Sequence, residues 1–346
     1  MARIVVAGSG SVGACIAYHL ALLGAEDVVL AERGRIASGS TGKAMGGVRK
    51  QFSTAAEGRL AHESIVFFEE LGAEWFQQVG YLFVATTAEG RDELEARREL
   101  QAKLGVPVAR VDPSSVPGLR TDDILAAVFC PTDGVADPPA LTREVVRRAV
   151  ELGVELREHT DARGLEHDLL VIAAGAYSGE FGVDLPIRPL ARQLLETEAI
   201  ANLPDDLPMV IEAETGFHFR RRDDCLRIAM TDAVPRWGFE QIVDETVFAD
   251  RLERLAHRYP SAGETRIARA WAGLYDMTPD AHPIIGPVGN GLYAACGFSG
   301  HGFMQSPAVG RAVAEELLHG ESALDLAPYR LTRFAEGTAF PEELVL

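Results

Sequence analysis

The amino-acid sequence predicts an α/β fold, built as one large unit or as two interleaved ones. Three observations lead there. The 346 residues are 47% hydrophobic and 24% charged, enough apolar material for a sizeable core and too balanced for long disorder. The chain opens on a strand, a glycine turn and a helix. Two later apolar strands, at residues 168–172 and 292–296, each run into a stretch of small residues.

Arg3-Ile4-Val5-Val6-Ala7 is β-branched without alternation, as in a parallel strand buried on both faces. Gly8-Ser9-Gly10-Ser11-Val12-Gly13 follows at once. Residues 14–23 read as a helix ended by Gly24, and residues 27–31 as a second strand that stops at Glu32. Each residue type has its own task. Gly8 makes the tight turn, Gly10 lets the backbone approach a pyrophosphate, and Gly13 lets helix and strand pack closely, while the helix N-terminus around Ser11 and Val12 faces the anion. Glu32 stands about twenty residues further on, where a carboxylate accepts hydrogen bonds from both hydroxyls of an unphosphorylated adenosine ribose, with Arg33 beside it. Taken alone, this unit fits FAD or NAD.

The formal net charge of -18 opposes nucleic acid and anionic membrane surfaces as general partners. Cys15, Cys130, Cys225 and Cys296 are scattered singly, which reads as reduced core thiols rather than a zinc site or disulfide framework. Residues 4–25 are apolar, yet Gly8, Gly10 and Gly13 interrupt them and no cleavage-like region follows, so no membrane span or signal is expected and a cytoplasmic location is.

Residues 35–49 form a loop too rich in Gly, Ser and Thr to be core, with Ser40, Thr41, Lys43, Ala44, Gly46 and Gly47 along it. Together with the opening fingerprint, this loop resembles the D-amino-acid-oxidase-like (DAO) superfamily of FAD enzymes. Within it the likeness is to the branch of sarcosine oxidase β subunits, glycine oxidases and dye-linked L-proline dehydrogenases. The resemblance implies FAD rather than NAD, with those loop residues beside it. It also implies the full fold, an α/β (α+β) chain in which a Rossmann-like FAD-binding domain is interleaved with a mixed-sheet substrate domain. The first would take residues 1–78, 137–186 and 270–346, the second residues 79–136 and 187–269.

Further stretches carry the likeness. Residues 80–84 look like the family's first substrate-domain strand. Residues 133–138 and a helix at 140–152 look like the return to the cofactor domain, Asp137-Pro138 being a helix-start signal. The strand at 168–172 ends in Ala173-Ala174-Gly175, where the family's backbone passes close to the dinucleotide. Relatives carry a β-hairpin before it, for which residues 161–167 leave room only for a turn. At the C-terminal end, residues 271–280 lead to a strand at 292–296, a glycine turn from Gly297 to Gly302 and a helix at 306–318. In the family that element meets the flavin ring, so Gly300, His301, Gly302, Phe303 and Met304 join the expected cofactor contacts.

The resemblance also implies roles and departures. Arg49 falls where relatives hold the substrate carboxylate, a task suited to a guanidinium fork; a solvated arginine beside Lys50 is the competing reading. Tyr275 is expected in the substrate-facing wall, and His301 beside the flavin rather than as a base. His218 and Arg220 are expected to flank the substrate sheet without a catalytic part. Gly273 stands where monomeric sarcosine oxidases carry the flavin-linking cysteine, so the FAD is expected to be noncovalent. Met304 replaces a carboxylate-binding lysine, and Arg227 falls near their oxygen-activating lysine. The segment around Asp137 lacks the histidine that attaches a second flavin. No metal is expected.

The favoured reaction is oxidation of an amino acid or a primary or secondary amine to an imine, with electrons passing to oxygen or another carrier. Alternatives on the same fold are oxidation of a hydroxy acid or glycerol-phosphate-like substrate, and a flavin-stabilised assembly protein with little turnover. Several relatives act in complexes, which leaves room for a partner subunit or a homo-oligomer.

Overall fold

The computed structural model describes residues 2–342. At the centre of a six-stranded sheet lies Ile4–Ala7, parallel to Val28–Ala31 on one side and to Leu169–Ile172 on the other. Glu155–Arg157 extends the first edge in parallel; Leu292–Cys296 extends the second, which Ile284–Gly289 closes antiparallel. The absence of alternation in the first strand is explained by covering on both faces. Ile4 and Val6 join the cluster formed with helices Ser11–Leu22, Pro138–Glu151 and Gly302–His319, whereas Val5 and Ala7 pack with Val29, Ala31 and Leu170 behind. Each fully buried valine among them contributes about 1.5–3 kcal/mol.

The first helix starts at Ser11, not at residue 14, because the Thr41 hydroxyl reaches over to accept the Ser11 amide at 3.0 Å. Gly13 therefore sits inside the first helical turn, where a Cβ would collide with the Gly8 carbonyl oxygen. Gly8 has φ +105°, a conformation open to glycine. The last long helix also starts early, at Gly302 rather than residue 306. Pro307 lies within it and cannot bond the Phe303 carbonyl, but the Ser306 hydroxyl donates to that oxygen at 2.8 Å and keeps the turn intact. The helix Pro138–Glu151 begins two residues before the expected start, capped by Asp137, which accepts the Ala140 amide at 3.0 Å.

The second sheet has nine strands. Tyr81–Ala85 and Met209–Glu212 pair in parallel, and the other pairings are antiparallel. Its register puts Tyr81, Met209, His218, Ala229, Arg227, Arg192, Gly273 and Tyr275 on one face. On the other, Leu82, Val210, Phe219, Ile228 and Leu195 form a separate core with Leu255 and Tyr259. Ile267–Met277 pairs along the length of Arg188–Thr197, so residues 270–277 belong to this mixed sheet rather than to the parallel one. The connection before Leu169–Ile172 holds only a short 3-10 turn, Ala162–Gly164, as its length requires. All four cysteines are free and buried. Among the described residues no helix is long and apolar enough to cross a membrane, and no cluster of metal-binding side chains occurs.

Candidate functional site

A continuous cavity of about 520 Å³ runs from the glycine turn of the parallel sheet to the polar face of the mixed sheet. This is a size usual for small-molecule and cofactor sites. Its first wall is the turn itself, Gly8, Gly10, Ser11 and Val12, with Glu32 and Arg33 at the end of the second strand. Gly13 does not reach the cavity; it lies behind Gly8 and sets how close the helix can come. Glu32 is already engaged. One carboxylate oxygen accepts the Ser9 amide at 2.9 Å and the Ser9 hydroxyl at 3.2 Å, the other the Gly34 amide at 2.7 Å. Arg33 pairs with Glu180 and lies over the Tyr177 ring.

The short connection that replaces a hairpin lines this same end with Thr160, Asp161, Ala162 and Arg163. The Thr160 amide donates to the Glu32 carbonyl at 2.8 Å, which ties the connection to the acidic strand end.

The small-residue loop forms the floor. Ser40, Thr41, Lys43, Ala44, Gly46 and Gly47 all line the cavity, as do Ala174 and Gly175 after the strand Leu169–Ile172. The loop is pinned from several sides: the Ser40 hydroxyl donates to the Leu274 carbonyl at 2.6 Å, the Trp271 indole to the Lys43 carbonyl at 3.1 Å, and buried Arg220 to the Met45 carbonyl at 2.7 Å. Lys43 donates to Gln241. A Cβ on Gly273 would stand 3.0 Å from the Lys43 Cβ, so this strand residue and the loop meet with no side chain between them.

At the far end the turn before the last helix brings in Gly300, His301, Gly302, Phe303 and Met304, at the helix N-terminus. Two tyrosines of the mixed sheet rest on two glycines. Tyr275 covers Gly300, where a Cβ would meet its ring at 2.5 Å, and the Tyr81 hydroxyl occupies the space beside Gly47. Burial raises both phenols, which remain protonated.

Arg49 lines this end as well, yet it is 1% exposed, which removes the reading of a solvated arginine. Its guanidinium lies 4.1 Å from the Phe52 ring, donates to the Gln51 carbonyl and lies 3.3 Å from His301 Nε2. An arginine cannot accept, so His301 Nε2 is the acceptor and the proton of its neutral ring belongs on Nδ1. Asp133 holds this segment in place by accepting the Lys50 amide at 2.8 Å and the Gln51 side chain at 2.9 Å; burial pushes its carboxyl up to about 6. Asp276 is likewise raised to about 6 by burial, and accepts the Gly297 amide at 2.7 Å.

The mixed sheet supplies the roof, and here the sequence reading falls short. Arg192, Tyr81 and Met209 line the cavity though nothing singled them out. A signal exists in Arg188–Thr197, where Leu190, Arg192 and Leu194 alternate on one face, but its direction depends on pairing with Ile267–Met277. His218 also lines the cavity, while Arg220, on the same face, does not. Burial lowers His218 to about 4, and its Nδ1 donates to the Gly216 carbonyl at 2.8 Å, so Nε2 is left as an acceptor. Arg227 does not reach the cavity. It pairs with Glu196 at 2.9 Å and lies over Trp271.

A parallel sheet whose glycine turn, helix N-terminus and acidic strand end face one elongated cavity defines a dinucleotide-binding α/β protein. The residues present suit such a ligand: glycines where a Cβ would close the cleft, and backbone amides at the start of a helix. The chain belongs to the DAO family of FAD-dependent oxidoreductases, whose family model, described as FAD dependent oxidoreductase, matches residues 3–316. It is 26% identical over 382 residues to the mitochondrial sarcosine dehydrogenase of Homo sapiens, covering 96% of this chain and 41% of that protein. The chain thus spans about two fifths of that relative. With the glycine oxidase of Geobacillus kaustophilus it shares 26% over 368 residues, 95% of this chain and 96% of the other. The crystal structure of L-proline dehydrogenase from P. horikoshii superposes with a TM-score of 0.90 at 30% identity, covering 97% of this chain and 98% of that one.

Proposed function

We propose that this chain holds one FAD noncovalently and oxidises an amino acid or a related primary or secondary amine to an imine, which water hydrolyses. The observation that carries this reading is the continuity of one cavity from a dinucleotide cradle to a polar chamber roofed by Tyr81, Arg192, His218 and Tyr275. The glycine oxidase and L-proline dehydrogenase likenesses support the substrate class.

In this reading the amides of Gly10 and Val12, both at the cavity wall, would hold the pyrophosphate, since that of Ser11 is held by Thr41 and Gly13 lies behind the wall. Glu32 would hold the ribose hydroxyls, and the longer of its Ser9 bonds is the one it could give up. When bound, FAD supplies a hydride acceptor at N5. The protein's part is to exclude water with the two tyrosines, to offer His218 Nε2 to a substrate N–H, and to keep Arg49 and His301 fixed at the helix N-terminus. Noncovalent attachment is supported at Gly273, where a larger side chain meets the Lys43 stem, and at Cys296, whose thiol burial raises to about 12. The two-domain division is part of the proposal, its last boundary displaced to the end of Ile267–Met277.

The test is anaerobic reduction of the FAD-loaded protein by a panel of amino acids, amines and hydroxy acids. Bleaching of the flavin bands by amino acids or amines supports the reading. Bleaching by hydroxy acids alone, or by nothing, sinks it. Oxygen consumption with the reducing substrate then separates oxidase from dehydrogenase.

A further inference from the structure

We propose that Arg192 is the residue that receives the substrate's carboxylate, and hence that the chamber selects a free amino or imino acid over its ester, its amide or the parent amine. The inference rests on the amino-acid reading above and names the group that would enforce it.

The argument starts from how each cation at the cavity is used. Arg33 pairs with Glu180, and Arg163 with Asp161 and Glu180, at the end nearest Glu32. Lys43 donates to Gln241. Arg49 is stacked on Phe52 and spends donors on the Gln51 carbonyl and on His301. Arg192 differs from all of these. Among the described residues it has neither an ion pair nor a side-chain hydrogen bond; its one contact of note is the Tyr275 ring, 5.7 Å from the guanidinium carbon, and its Nε is shut off from solvent with no acceptor.

A guanidinium N–H buried without a partner is costly, and at the wall of a cavity a ligand can supply the missing acceptor. The complement of a planar fork of donors is a carboxylate.

Position agrees with chemistry. Arg192 pairs across the ladder with Gly273, the residue that touches Lys43 of the floor, and shares its face with Tyr275. It therefore stands where roof and floor approach, and the protonated Tyr275 phenol adds an O–H on the same face. The nearest acid along that face, Glu196, is engaged by Arg227 and Arg269 and offers no internal counter-ion. His218, neutral because of burial, leaves the positive charge of the roof to Arg192. Met209 and Tyr81 supply the apolar surface that a side chain or ring would need.

The experiment uses the FAD-loaded full chain, as wild type and as Arg192→Leu, Arg192→Lys and Arg49→Leu. Acetate, benzoate and pyrrole-2-carboxylate, each beside its neutral amide, serve as probes that cannot reduce the flavin. Binding is read by calorimetry and by perturbation of the flavin spectrum. Wild type is expected to bind at least one carboxylate and to discriminate against its amide. Arg192→Leu should weaken the acid by at least about thirtyfold, as when one partner of a buried charge pair is removed, and leave the amide within about threefold. Arg192→Lys, which keeps the charge and most of the stem, should fall between them.

Equal weakening of acid and amide, loss of discrimination in Arg49→Leu alone, or no carboxylate binding by wild type would each overturn the assignment. The two readings fail separately. If carboxylates bind through Arg192 but no amino acid or amine reduces the flavin, the oxidation chemistry is wrong and the carboxylate site stands.

Discussion

Gly13→Ala is the substitution that bears most directly on the cofactor cradle. A Cβ at this position falls 1.9 Å from the Gly8 carbonyl oxygen, which is backbone, in a residue tied to the sheet by its amide bond to the Ala31 carbonyl at 2.8 Å. Real contacts of this kind do not close below 3.0 Å, so helix and turn must part by about 1 Å. The helix cannot retreat freely on its far side, where Gly310 of the last helix lies so close to Cys15 that a Cβ there would stand 2.6 Å from it. What gives way is the register between the helix amides and the cavity. If two amide bonds to the pyrophosphate are lost, at about 1.5–3 kcal/mol for each bond to a charged group, FAD affinity should fall by roughly two orders of magnitude or more. The assay is fluorescence titration of the stripped protein with FAD, beside a thermal melt. Gly179→Ala is the control, since nothing stands within 4 Å of its added Cβ. FAD binding by Gly13→Ala within threefold of the control would refute the close-approach argument.

Two further outcomes are expected. Asp133 holds its proton up to about pH 6, whereas the unfolded chain releases it near 3.8, so between those values the folded state binds more protons and stability falls as pH rises. The interval corresponds to roughly 3 kcal/mol at 1.36 kcal/mol per pH unit. Denaturant melts from pH 3.5 to 7 should show Asp133→Asn losing that share of the pH dependence relative to wild type, while Asp276, raised to the same value, contributes its own share in both; parallel profiles would count against it. Glu32→Ala strips the acceptor from the Ser9 and Gly34 amides and should weaken FAD binding by about tenfold to a hundredfold, with a lowered melting temperature. Unchanged FAD affinity in that variant would remove Glu32 from the cradle.

The cradle was legible because its signals are local. A β-branched strand, three glycines and an acid at the next strand's end lie within about thirty residues, and each acts through backbone geometry that neighbouring residues fix. The same holds for Asp137-Pro138 at the start of a helix. The helix starts at Ser11 and Gly302 are not legible, for two different reasons: Thr41 caps the first from a separate loop, whereas Ser306 repairs the second around Pro307 through a local bond that helix propensity does not register.

The amino-acid sequence by itself determined the α/β class, the parallel strands buried on both faces, the dinucleotide fingerprint and, through the loop at residues 35–49, the family. Tertiary structure decided the chamber. Whether Arg192 faces a ligand or a core depends on the register of Arg188–Thr197 against Ile267–Met277, because a slip of one residue turns every side chain to the other face. Whether Arg49 is free or committed depends on Phe52, Gln51 and a histidine about 250 residues away, which only the folded chain brings together.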